Sequence, residues 1–168
     1  MQGKKVLWIA VAVVGVGVAW YLFRPERLFI NKTVSEELTP ASRTSPASAT
    51  APLPLATGSF HSVAQESRGT ATVFQYADGK RVLRFTDFET SNGPEVKVYL
   101  VAAGDAKDNE SVKKAGFVNL GPLKGNRSDQ NYDIPADLDL ARYRAVTIWC
   151  QRFGVNFATA PLVSSPQG

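Results

Sequence analysis

Residues 69–88 read GTATVFQYADGKRVLRFTDF, and this stretch decides the fold. Its first half, through Tyr76, is rich in β-branched and aromatic side chains, which suit a pleated, half-buried surface. Ala77-Asp78-Gly79-Lys80 then offers a tight turn, because Asp-Gly tolerates the left-handed backbone that a short hairpin loop needs. From Arg81 the strand pattern resumes, so the pair predicts a β-hairpin. Residues 95–102, EVKVYLVA, place Val96, Val98, Leu100 and Ala102 on one face and Lys97 and Tyr99 on the other, the alternation of a strand with one buried face. Shorter candidates lie at 58–62, 117–120, 132–134, 145–150 and 153–157. Only 136–143, after Pro135, has apolar spacing that invites a turn or two of helix, through Leu138, Leu140 and Ala141. Seven or eight short strands separated by turn signals predict an all-β fold, an antiparallel β-sandwich or barrel.

Outward from that body, the chain changes character. Residues 6–23, VLWIAVAVVGVGVAWYLF, carry no charge and are long enough to cross a hydrocarbon core as a helix. Lys4 and Lys5 flank the run on one side and Arg24 and Arg27 on the other, with Trp8, Trp20 and Tyr21 near its ends, where amphipathic rings favour the headgroup region. A cleaved signal peptide is the rival reading, with Gly17-Val18-Ala19 as the small-residue site. Cleavage there would leave Trp20-Tyr21-Leu22-Phe23 as an apolar terminus, so an uncleaved transmembrane anchor is preferred. Residues 31–57 are Ala/Ser/Thr/Pro-rich, and Pro40, Pro46, Pro52 and Pro54 favour extended chain, as in a disordered tether. The expected organisation is an anchor over 1–30, a linker over 31–57, a β domain over 58–162 and a tail over 163–168. The expected location is membrane-anchored and single-pass, with the C-terminal domain extracytoplasmic, in a periplasm or at a cell surface.

The chain has 168 residues, 44% of them apolar, and a formal net charge of +4. That content supports one core, and no run of five or more Lys/Arg appears, so nucleic acid is not an expected partner. The membrane, through residues 6–23, and a redox partner protein are the expected ones.

The single cysteine lies in residues 148–157, IWCQRFGVNF. Val146, Ile148 and Cys150 share one strand face, whereas Phe153, Val155 and Phe157 have the opposite parity. A strand cannot change parity without an extra residue, so Gln151-Arg152 is expected to be a bulge or turn, with Cys150 at the bend. Two readings of the thiol stay open. It is either a small hydrophobe of the core, or a reactive thiol or soft metal or haem ligand supported by Arg152. Trp149 and Phe153 would wall such a site. His61, the only histidine, is a weak second ligand candidate.

Several segments taken in order resemble a known family: Gly58-x-Phe60, Gly69-Thr70-Ala71, Phe88-x-Thr90-Ser91-Asn92-Gly93-Pro94-x-Val96-x-Val98-Tyr99-Leu100, Leu120-Gly121-x-Leu123-Lys124-Gly125-Asn126, Gln130-Asn131-Tyr132-x-Ile134-Pro135, and Tyr143-x-x-Val146-x-Ile148-Trp149-Cys150-x-x-Phe153-x-Val155-x-Phe157. Together they are similar to the DM-thirteen domain family, across residues 58–162. The resemblance implies an extracytoplasmic β-rich module, found in places with haem-binding DOMON domains. It also implies that Cys150 acts in electron transfer, as a bare thiol or as ligand to a prosthetic group such as haem. Many members carry a His where this chain has Gln65, so a His/Cys ligand pair at that place is missing.

Other chemistry is thin. Residues 104–110 hold three carboxylates, but interleaved lysines and a misplaced Gly and Glu exclude a calcium loop. No Walker loop, HExxH, CxxC, GxSxG or CxxCH occurs, so nothing marks a stand-alone enzyme. The loop residues Asn92, Asn126, Gln130, Asn131 and Tyr132 are candidates to bind a polar partner, although loop amides mostly satisfy backbone groups. Two functions follow: a membrane-tethered redox or electron-transfer module using Cys150, or a cell-surface binding or scaffolding domain whose cysteine is structural. Haem, a transition metal or no cofactor are all compatible with the residues.

Overall fold

The computed structural model describes residues 2–23, 31–38 and 51–165. Residues 39–50 of the proposed linker, the basic flank at Arg24 and Arg27 and the last tail residues (166–168) lie outside the described residues. The chain divides into two compact units, Met1–Ile30 and Asn31–Gly168.

The first unit contains one helix, α1 (Gln2–Phe23). The expected anchor is overturned: among the described residues no helix is long and apolar enough to cross a membrane. The uncharged run that suggested it sits near the lower limit of spanning length, about 17–25 residues, and leaves no margin. The single-pass, membrane-anchored placement rested on that helix and falls with it.

The described residues of the second unit form ten strands and one short helix. The strands are β1 (Leu53–Ser59), β2 (His61–Ser62), β3 (Arg68–Gln75), β4 (Arg81–Glu89), β5 (Val96–Val101), β6 (Phe117–Pro122), β7 (Gln130–Ile134), β8 (Ala145–Cys150), β9 (Val155–Pro161) and β10 (Val163–Ser164). They form two antiparallel sheets of five, ordered β10-β1-β3-β4-β7 and β2-β9-β8-β5-β6. β1 begins at Leu53, inside the Ala/Ser/Thr/Pro-rich stretch, and its Leu55 and Ala56 pack on the core.

The hairpin of residues 69–88 is β3 and β4, with Val73 opposite Leu83 and Ala71 opposite Phe85. Its turn is closed by Tyr76 N–H to Lys80 O at 2.8 Å, while Asp78 Oδ1 accepts from the Lys80 N–H. Inward residues of both sheets meet in one core, among them Val73, Leu83 and Phe85 from one and Val98, Val146 and Ile148 from the other. The arrangement is a sandwich rather than a barrel, because the alternating faces of two separate sheets bury each other. Phe60, between β1 and β2, joins them: its ring lies 5.0 Å from Phe85 and 4.9 Å from Phe88. Such aromatic contacts add to area burial at this range.

Two local expectations change. Residues 136–143 form turns rather than helix, with Asp139 O accepting from the Arg142 and Tyr143 N–H groups. The second helix is instead α2 (Asn109–Ala115), in a stretch that reads as a solvated loop. Asp108 caps it, its Oδ1 accepting from the Ser111 N–H at 2.7 Å, as an N-cap carboxylate does. α2 buries Val112 against Tyr99, Val101, Ala145 and Trp149 on the outer face of the second sheet, a second small core.

Candidate functional site

Cys150 is the last residue of β8, paired with Val96 of β5 on one side and Val155 of β9 on the other. Its face is set by strand alternation: Val146, Ile148 and Cys150 all point into the main core, and Cys150 has no exposed surface. The parity break resolves as a turn at residues 151–154 plus a register shift between Ile148 and Trp149.

A loop covers the thiol. Residues 91–95 lead into β5, and Cys150 Sγ donates to the Pro94 carbonyl at 3.1 Å. The loop is pinned on both sides: Gln151 N–H donates to Glu95 O at 3.0 Å, and Leu123 N–H to Val96 O at 2.9 Å. Glu95 holds φ 55°, a left-handed conformation uncommon outside glycine and tolerated where surroundings enforce it. Gly93 is needed for close approach, since a Cβ there would lie 2.9 Å from the Phe157 ring and 3.1 Å from Val96. Beside the loop is a cavity of about 250 Å³, lined by Lys32, Asn92, Glu95, Val96, Gly125 and Asn126 among others. Val96 both lines this cavity and pairs with Cys150.

The residues expected to surround Cys150 are dispersed. Trp149 points to the opposite face of its sheet, in the small core under α2, where Tyr99 stacks at 6.2 Å and in turn lies against Phe117 at 4.1 Å. Phe153 is 68% exposed, and Arg152 is in the same exposed turn. His61 pairs with Thr159, four residues along β9 from Val155, the partner of Cys150. Its Nε2 is engaged at 2.8 Å by Asp105.

The amide cluster does a different task. Gln130, fully buried, accepts on Oε1 from Tyr132 OH at 2.7 Å and from the N–H groups of Lys124 and Gly125 at 3.2 and 3.3 Å, and donates to Gly125 O. Burial pushes the Tyr132 phenol pKa up. Asn126 donates to Thr90 O and Asn31 Oδ1 and accepts from the Lys32 N–H at 2.7 Å. Asn131 accepts from Arg84 and donates to Glu37 O. Asn92 reaches Asn31 Oδ1 at 3.4 Å. Asn126, Asn131 and Asn92 therefore hold residues 31–37, a contact not legible from the loops alone.

A prosthetic group on Cys150 does not fit these residues. The sulfur is enclosed and bonded to a carbonyl, His61 is committed elsewhere, and among the described residues no group of three or more His, Cys, Asp or Glu is placed to hold a metal ion.

A two-sheet β-sandwich enclosing one thiol under a pinned loop defines the class of domain. The family model described as electron transfer DM13 matches residues 59–162, and the chain belongs to that family. Membership points to a redox or electron-transfer role. Comparison with curated proteins and with solved structures finds no match.

Proposed function

We propose that the domain performs its redox role through Cys150 as a bare thiol, with no metal or haem attached. The observation that carries this reading is the placement of the chain's one cysteine at a strand end, its sulfur held by the Pro94 carbonyl beneath a loop in a rarely adopted backbone conformation. No other buried side chain of the main core carries a thiol or thioether, the groups that oxidise stepwise. An oxidant must be small or must wait for residues 91–95 to move. With a hydroperoxide, the sulfur attacks one oxygen, an S–O bond forms as O–O breaks, and the thiol proton leaves with the second oxygen as alcohol or water. Cys150 becomes a sulfenic acid, oxidised by two electrons, and the peroxide is reduced by two. A redox partner protein then returns two electrons and two protons, releasing water and restoring the thiol.

The test treats the full chain with dilute hydrogen peroxide, traps sulfenic acid with dimedone and locates it by mass spectrometry. Trapping at Cys150, reversed by a reductant and absent in Cys150→Ser, is the expected result. A thiol that stays unmodified until the domain unfolds would sink the proposal. That outcome would leave a second reading, a binding module with a structural cysteine, which the complete burial of Cys150 favours.

A further inference from the structure

Residues 31–37, NKTVSEE, precede the family-matched region and lie against it as an extended segment with one isolated bridge. The backbone contacts fall on alternate residues: Arg127 N–H donates to Lys32 O at 3.4 Å, Val34 N–H to Arg127 O at 3.1 Å and Glu36 N–H to Asp129 O at 3.0 Å. Thr33 and Arg127 form a parallel bridge. Burial alternates as well, with Val34 and Glu36 partly buried and Thr33, Ser35 and Glu37 exposed. This is strand addition, in which main-chain bonds give affinity and pockets for alternate side chains give selectivity.

The receiving surface is shaped for that segment. A Cβ on Gly125 would lie 2.4 Å from Lys32 O and 2.7 Å from Val34 Cγ2, so glycine there leaves room for the added strand. Asn126 fixes the start of the segment through Asn31 and Lys32. Five residues from Asn31, the Glu36 carboxylate accepts from Lys124 Nζ at 2.8 and 2.9 Å and from the Asn131 N–H at 2.8 Å, while Arg84 donates to Glu36 O at 2.8 Å. The surface thus reads an amide, an extended backbone and a carboxylate at fixed spacing.

We propose that residues 31–37 are an exchangeable strand: they fill this groove within one chain, and the same segment of a second copy can fill it in a reciprocal swap. The second copy is the fitting occupant because it presents the same amide, backbone and carboxylate. Exchanging identical elements sacrifices no type of contact. Fifteen residues, 38–52, join the segment to β1. They can span at most about 50 Å at ~3.3 Å each, enough reach for a neighbouring domain. Within one chain the segment acts at an effective concentration on the millimolar scale, so the closed monomer dominates when the protein is dilute. In the swapped state Lys32 of one copy would line the cavity beside Val96 of the other. This inference does not depend on the chemistry of Cys150.

The experiment uses two full-length variants, Glu36→Lys and Lys124→Glu, each of which sets like charges against each other. Sedimentation velocity should show each alone as a monomer and their mixture as a one-to-one dimer, because one exchanged interface restores the Glu36–Lys124 pair. Adding Gly125→Ala to both should abolish the dimer. A mixture that sediments as monomers, with native near-ultraviolet circular dichroism in both variants, would overturn the proposal. Should either variant lose its fold, a labelled peptide of residues 31–38 titrated into Glu36→Gln decides instead. Binding that Gly125→Ala removes supports the exchange, and no binding overturns it.

Discussion

The Cys150 sulfur and the Pro94 carbonyl oxygen, 56 residues apart in sequence, sit 3.1 Å apart beneath the loop that leads into β5. Any chemistry at the sulfur is therefore coupled to the motion of that loop. Rates of thiol modification should report loop opening rather than intrinsic thiol reactivity.

Gly93→Ala tests the coupling. The new methyl would press on Phe157 and Val96, and overpacking of this kind costs about 1–3 kcal/mol. Native-state labelling of Cys150 by a small thiol reagent should accelerate, with the stability loss measured by urea unfolding. Unchanged labelling alongside reduced stability would mean that another route controls access.

Gln130→Leu should be costly although an apolar side chain suits a buried position. Its carbonyl accepts from Tyr132 OH and from the Gly125 N–H, and its amide donates to Gly125 O; leucine leaves these groups without that partner, while the Lys124 N–H keeps its contact with Tyr132 OH. Each buried group so orphaned costs about 1–3 kcal/mol, so urea unfolding should show a loss of at least about 2 kcal/mol. A near-neutral result would show that water replaces the amide.

Attachment of residues 31–37 should weaken in acid. Partial burial alone would raise the Glu36 pKa, but the hydrogen bond from Lys124, the Asn131 N–H and the charges of Lys124 and Arg84 outweigh it and hold the pKa below its ordinary value. A lowered folded-state pKa stabilises the attached form above the free carboxyl pKa, near 4.3, and the contribution disappears as pH falls through the folded value. Amide exchange at Val34 and Glu36, corrected for intrinsic rates, should speed up over that range in the native chain. In Glu36→Gln the pH dependence should be absent.

Two phenylalanines should separate core from surface. Phe85 is fully buried among Phe60, Phe88 and Tyr132, so Phe85→Ala should cost about 3–5 kcal/mol. Phe153→Ala, in the exposed turn beside the thiol, should stay within about 0.5 kcal/mol and leave Cys150 labelling unchanged. A large effect at Phe153 would give it the walling role that its sequence position suggests.

Strand periodicity was the readable signal. The Asp-Gly turn occurs where the residues indicate, Val96, Val98 and Leu100 share the main-core face, and the same logic turns Cys150 inward; the opposite face of β5, read as open, instead buries Tyr99 and Val101 in the small core under α2. It stops short at irregular points. The shift between Ile148 and Trp149 and the turn after Cys150 remove Phe153 from the core, and adjacency in sequence sends Trp149 to the opposite face. The Pro94 acceptor is a carbonyl, which no side-chain pattern marks. Glu36 was obscured by the composition around it, although the alternation of Val34, Glu36 and Leu38 with polar residues was available as a signal. α2 could have been found from Asp108 with Ser111 three residues later. An uncharged run with basic flanks and terminal aromatics resembles a spanning helix, but among the described residues no helix is long and apolar enough to cross a membrane.

Each sheet ends on one side in a strand of only two residues, β10 in the first and β2 in the second. So short an edge offers almost no ladder of free amides and carbonyls for a foreign chain to join. On the other flank of the first sheet, β7 meets residues 36 and 37, among the described residues, through the Asn131 contacts. Of the two longer margins among the described residues, β6 ends in Pro122, which lacks the amide that a further ladder would require.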